Sequence, residues 1–249
     1  MLTWITGASS GIGRALALEM ADRGYIVLAS ARREDELAAL AATDNRIIPL
    51  ALDVTDFDAC KTLIDKIEKK YGPIELAILN AGMFESDPIV KLDRDAVDRH
   101  FNVNVLGTVN CLYAVLQGML LRKRGHIAIN ASVVGYRGLP NCFSYGGTKA
   151  ALINMAECLK LEMVPHNIRV QVINPGFVRT AMIDNVMAKP FGTLSPEEAA
   201  KEIVKGIHMY DDFEIRLPGR FSTLMRFLRL LPNWMYFPIV KRFAKDPQK

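Results

Sequence analysis

The chain has little of what marks a secreted, metal-dependent or membrane-spanning protein. Its 249 residues include four cysteines, Cys60, Cys111, Cys142 and Cys158, with no C-x-x-C pair. That spacing offers neither a zinc site nor a disulfide framework, and it suits reduced thiols in a cytoplasmic protein. The histidines, His100, His126, His166 and His208, form no ligand cluster, and no metal is expected. Met1-Leu2-Thr3-Trp4-Ile5-Thr6 runs straight into a glycine turn, leaving no room for the basic and apolar regions of an export signal, so export is not expected. No internal repeat, low-complexity tract or domain linker interrupts the chain.

What is present is the composition of a folded globular protein, 50% hydrophobic and 23% charged, long enough for one sizeable core. The net charge is +4, but residues 216–249 carry eight basic groups and one acidic, a local +7 that leaves −3 for the rest. A body of that sign lacks the gathered positive face that nucleic acid needs. Short apolar runs at residues 2–5, 25–30, 47–52, 76–79, 127–130 and 170–173 read as strands buried on both faces. Helical spacing covers 12–23, 57–71, 93–121 and 145–163. This alternation predicts a doubly wound α/β fold, a parallel sheet with helices on both faces. A further strand is expected at 213–215, after a helix opened by Ser195-Pro196-Glu197-Glu198. Residues 1–215 are expected to form one dinucleotide-binding and catalytic domain, with 216–249 packed on it as a basic amphipathic extension.

Thr6-Gly7-Ala8-Ser9-Ser10-Gly11-Ile12-Gly13 follows an expected strand and opens an expected helix. Its glycines can bring backbone N–H groups against a pyrophosphate at the positive helix end. The Gly-x-x-x-Gly-x-Gly spacing departs from the commoner Gly-x-Gly-x-x-Gly fingerprint, and by itself also fits an ordinary strand-to-helix loop. After the second strand stand Arg32 and Arg33, where a carboxylate would repel a ribose 2′-phosphate and a guanidinium would bind it. NADP(H) is therefore expected over NAD(H), although the two arginines also read as a solvated helix start beside Glu34, Asp35 and Glu36. Asp53-Val54 and Asn80-Ala81-Gly82 end the third and fourth strands, the edge at which ligands bind in open α/β sheets.

Tyr145 and Lys149 lie one helical turn apart. Using a phenol of ordinary pKa about 10 near neutral pH requires roughly 4 kcal/mol of stabilisation of its anion. A cation about 4 Å away at an effective dielectric near 20 supplies that much. The pair alone also fits a structural role. Taken with the glycine turn, Asn80-Ala81-Gly82, Asn104, Ser132 and Pro175-Gly176, in this order, it resembles the short-chain dehydrogenase/reductase family over roughly residues 1–180.

The resemblance implies that Tyr145 is the general acid in reduction and the general base in oxidation, that Ser132 hydrogen-bonds the substrate oxygen, and that Lys149 lowers the tyrosine pKa and binds the nicotinamide ribose. It further implies that Asn104 holds a water leading to Lys149, and that Pro175, Gly176, Val178 and Thr180 position the nicotinamide. Two residues depart from the family pattern: Ser10 stands where NADP-preferring members often carry a basic residue, and Leu79 replaces the first asparagine of Asn-Asn-Ala-Gly. Arg14 is a candidate helper for Arg32 and Arg33. Val134, Tyr136, Leu139, Phe143, Phe177 and Met182 are expected to line a pocket for a hydrophobic carbonyl or secondary alcohol. The expected activity is hydride transfer by an enzyme, with a non-catalytic NADP(H) sensor or scaffold as the alternative. A homodimer or homotetramer is expected from the long helices.

In the tail, Leu224, Phe227, Leu228 and Leu231, then Met235, Ile239, Val240 and Phe243, recur at helical spacing between basic residues. No apolar run there approaches the roughly 20 residues needed to cross a bilayer. Two readings stand, a basic helix lying on an anionic membrane and packing over the substrate cleft or in an interface.

Overall fold

The structure, a computed structural model, describes residues 1–180, 192–209 and 212–243. The chain begins with β1 (Leu2–Thr6), α1 (Gly11–Asp22), β2 (Ile26–Ala31), α2 (Glu34–Ala41), β3 (Ile47–Ala51), α3 (Phe57–Tyr71) and β4 (Leu76–Leu79). Then come α4 (Arg94–His100), α5 (Gly107–Arg122), β5 (Gly125–Asn130), α6 (Phe143–Met163), β6 (Ile168–Pro175), α7 (Pro196–His208), β7 (Glu214–Leu217), α8 (Gly219–Leu230) and α9 (Asn233–Phe243). Among the described residues the strands form one sheet in the order β3-β2-β1-β4-β5-β6-β7, and every pairing is parallel. This is the doubly wound fold expected from the sequence.

Helices cover both faces, which is why the central strands read as unbroken apolar runs rather than alternating ones. Every residue of β1 and β4 is buried. On one face Leu16 and Met20 of α1, Leu37 and Leu40 of α2 and Ile203 of α7 pack on Ile5, Val27 and Ile78. On the other, Ile64 of α3, Val115 of α5 and Leu152 of α6 pack on Trp4, Leu28 and Ile127. Pro49 falls within β3, a sheet edge, where a residue without an N–H is tolerated.

The ends of the helices follow from local chemistry. Asp56 caps α3 by accepting from Ala59 N. Ser195 Oγ accepts from Glu198 N at 3.1 Å while Glu198 Oε2 accepts from Ser195 N at 2.7 Å, the capping box its sequence announces. One difference from expectation matters for the site. The helix expected over 93–121 is split by a π-helical turn at Phe101–Leu106, where Thr108 donates its hydroxyl to Asn104 O at 2.7 Å. A π turn is rare inside a helix and is found most often where function needs a side chain re-aimed. The acidic run after Arg33 forms α2, with Glu34, Asp35 and Glu36 in its first turn, where the helix dipole favours negative charge. The helical stretch 94–122 contains an 18-residue window with a mean hydropathy of 1.4, long and apolar enough by composition to span a bilayer. In this fold it supplies Cys111, Val115 and Met119 to the core.

Candidate active site

The C-terminal ends of β1, β4 and β5 are tied together by side chains. Thr6 Oγ1 accepts from the amides of Asn80 and Ala81, each at 2.9 Å. Asn80 Nδ2 donates to Thr6 O at 2.9 Å, and Asn130 Nδ2 donates to Asn80 Oδ1 at 2.8 Å. The β1–α1 turn passes through Gly7 at φ 69°, and a Cβ on Gly13 would lie 2.2 Å from Gly7 O, so larger residues are excluded where the turn folds against itself. Ser10 is the N-cap of α1 but makes no side-chain cap bond. The first-turn N–H groups thus have no side-chain oxygen closing them off, which suits a phosphate at the positive end of the helix. Ile12 is half-buried behind this turn. The cradle fits a dinucleotide.

Other expected cofactor residues gather around the same turn. A Cβ on Gly11 would meet Thr180 Cγ2 at 3.0 Å, so the segment leaving β6 returns to the glycine turn. Arg33 Nη2 donates to Ser9 Oγ at 3.1 Å, whereas Arg32 lines a separate groove of about 590 Å³ with Asp53 and Lys66. Asp53 Oδ1 accepts from the amide and hydroxyl of Thr55 at 2.9 and 2.8 Å, and Val54 O accepts from Asn110 Nδ2 at 2.9 Å. Gly176 N donates to Leu217 O at 2.6 Å, which ties the end of β6 at Pro175 to β7. Val178 is buried and forms an isolated bridge with Leu194.

The expected catalytic residues converge beyond β5 and on the first turns of α6. Ser132 Oγ donates to Pro175 O at 3.3 Å and accepts from Val134 N at 3.2 Å. It also lies close enough to the Tyr145 hydroxyl to favour its phenolate form. Lys149 Nζ lies over the Tyr145 ring, 5.6 Å from its centroid, and donates to Asn130 O at 2.9 Å. The ring of Phe84 packs edge-on against Tyr145 with centroids 4.9 Å apart. Burial pushes the Tyr145 phenol up to about 12, with Ser132 pulling it the other way. Burial also pushes the Lys149 ammonium down to about 8. Asn104 Oδ1 accepts from Met83 N at 2.7 Å, and its Nδ2 donates to Met83 O and Thr148 Oγ1. The π turn thereby aims Asn104 at the irregular segment that follows Gly82, whose added Cβ would lie 3.6 Å from Lys149 Nζ.

Val134, Tyr136, Leu139 and Phe143 line a cavity of about 540 Å³, together with Asp87 and Val90 from the loop after β4. Tyr136 turns its hydroxyl to the Glu214 carboxylate, which also accepts from Asn174 Nδ2 at 2.6 Å. Burial and that carboxylate hold the Tyr136 phenol well above its ordinary range. Phe177 does not line the cavity but stacks on Phe221 with centroids 5.2 Å apart. Met182 lies outside the described residues. Three residues of the site escape sequence reasoning because their roles are tertiary. Asp87 Oδ2 accepts from Ser144 N at 2.6 Å and holds the start of α6 from another loop. Asn130 offers a main-chain carbonyl, which no residue type announces, and Phe84 supports Tyr145 by ring packing alone.

The short chain dehydrogenase family matches residues 2–190. An oxidoreductase of Myxococcus xanthus is 34% identical over 243 residues, covering 96% of this chain and 95% of the relative. The 3-oxoacyl-(acyl-carrier-protein) reductase of Thermotoga maritima is 33% identical over 214 residues, covering 80% of this chain and 87% of that protein. Among solved structures, an alcohol dehydrogenase from Thermococcus sibiricus in complex with 5-hydroxy-NADP superposes with a TM-score of 0.78 at 26% identity, covering 87% of this chain and 95% of that one.

Proposed function

Because this chain belongs to the short-chain dehydrogenase/reductase family, and is an oxidoreductase acting on CH–OH and C=O groups, we propose that it transfers hydride between NADP(H) and a hydrophobic carbonyl or secondary alcohol. The observation that carries this reading is the convergence of Ser132, Tyr145 and Lys149, with the lysine Nζ 5.6 Å from the Tyr145 ring centroid, beside a glycine cradle. Thr6, Gly7, Ser9, Ser10, Gly11, Ile12 and Gly13 hold the dinucleotide phosphates, Asp53, Val54, Asn80, Ala81 and Gly82 its adenosine side, and Pro175, Gly176, Val178 and Thr180 its nicotinamide side. Arg33, with Arg32 beside it, binds the 2′-phosphate. When bound, the cofactor supplies or accepts the hydride.

Ser132 donates to the substrate oxygen and stabilises the charge that develops there. Tyr145 gives its phenolic proton to that oxygen in reduction and takes it back in oxidation. With the cofactor bound, Lys149 would hold the nicotinamide ribose, and its charge would lower the Tyr145 pKa from the high value set by burial. Asn104 positions the main chain around Met83 beside Lys149. Val134, Leu139 and Phe143 offer apolar walls to the substrate.

The test is hydride transfer over a panel of ketones and aldehydes with NADPH and NADH. Tyr145→Phe is expected to lower kcat by about 10² or more, the usual range for a lost proton-transfer group, and an unchanged rate rejects the assignment. Arg33→Ala is expected to raise the KM for NADPH about tenfold, consistent with loss of one charge-assisted contact, while leaving that for NADH nearly unaltered.

A further inference from the structure

α8 and α9 have two unlike faces. The inner one is buried: Met225 and Tyr236 are shielded from solvent, and Tyr236 donates its hydroxyl to Gly138 O at 2.6 Å. The Arg137 guanidinium stacks over the Tyr236 ring at 3.8 Å and donates to the carbonyls of Leu228 and Leu231 and to Asn233 Oδ1. Arg137 and Gly138 are themselves part of the wall of the 540 Å³ cavity, so the helix pair is fixed beside that cavity.

The outer face is apolar and open. Leu224, Phe227, Leu230, Trp234 and Phe237 are each between 53% and 77% exposed, although a soluble surface rarely gathers so many large apolar groups on one short element. The charged residues around them have one sign. Arg229, Lys241 and Arg242 lie in the same two helices, Arg226 reaches inward to Glu214 at 3.8 Å, and residues 217–243 contain no aspartate or glutamate. Exposed Trp and Phe rimmed by Arg and Lys are the chemistry of a helix that lies in a membrane interface.

We propose that the outer face of α8 and α9 docks on the surface of an anionic lipid bilayer. The charge pattern selects this occupant. A second copy meeting the same face across a two-fold axis would set basic rim against basic rim, which electrostatic complementarity disfavours. An anionic bilayer matches both parts of the face, taking the aromatic and leucine side chains at its acyl boundary and the cations at its headgroups. The mouth of the neighbouring cavity is then held near the lipid. This docking goes beyond the hydride-transfer reading and stands or falls separately from it.

The experiment is co-sedimentation of the full-length protein with vesicles of phosphatidylcholine alone and of phosphatidylcholine mixed with phosphatidylglycerol. Binding is expected on the mixed vesicles and at least about tenfold weaker on the neutral ones, since each cation near an anionic surface contributes about 1 kcal/mol. Trp234→Glu with Phe237→Glu is expected to abolish binding while melting temperature and NADPH affinity stay as in the wild type, both side chains being exposed. Absence of binding to either vesicle, equal binding to both, or equal binding of the wild type and the double variant overturns the proposal. So does a concentration-dependent dimer in sedimentation velocity that the double variant abolishes, because the face would then belong to a second copy. Turnover measured without vesicles tests the hydride-transfer reading independently.

Discussion

At the scale of single residues, burial sets the working groups against their ordinary chemistry. Lys149 is 3% exposed, and its ammonium is pushed from 10.5 down to about 8. Between those two pH values the folded chain holds fewer protons at this site than the unfolded chain, so this group makes stability rise with pH across that window. The desolvation cost is fully present below pH 8 and is relieved as the unfolded lysine also loses its proton. Two and a half units correspond to about 3 kcal/mol at most. Lys149→Met removes the titrating group, so denaturant titrations at pH 7.5 and pH 10 are expected to show a smaller gain on raising pH than in the wild type, by up to about that amount. Equal gains in both proteins would show that the lysine is not desolvated as described. Tyr145 moves the other way, and at neutral pH the phenol in this state keeps its proton.

At the scale of elements, the sequence was legible wherever a pattern is local. The apolar runs located the strands, and Ser195-Pro196-Glu197-Glu198 located the start of α7, because caps and buried strands are written in neighbouring residues. The π turn was not legible, because it depends on Asn104 reaching Met83 and Thr148 across the fold. The hold of Asp87 on α6 was hidden for the same reason, as was the hydrogen bond of Tyr136 to Glu214. Two substitutions separate local from tertiary support. Ser195→Ala breaks the capping box and is expected to cost about 1 kcal/mol, lowering the melting temperature by about 2–4 °C with turnover unchanged. Gly13→Ala places a Cβ 2.2 Å from Gly7 O, and it is expected to weaken NADPH binding, by fluorescence titration, more than any exposed substitution in α1 does.

At the scale of the whole molecule, the two tryptophans report on opposite environments. Trp4 is fully buried in the sheet and donates to Ser30 Oγ at 2.8 Å, while Trp234 is among the most exposed apolar side chains. Iodide is expected to quench only the Trp234 share of the emission, and Trp234→Phe should leave a spectrum that iodide hardly alters; strong residual quenching would mean that β1 is not shielded as described. The strand order also bears on how the protein is made. β1 leaves the ribosome first, yet it belongs between β2 and β4, and the segment around Thr180 that touches the glycine turn emerges only after most of the chain has been translated. A nascent chain therefore carries its nucleotide cradle half-built for most of synthesis, with an apolar strand lacking one neighbour, and that interval is when it would lean most on chaperones.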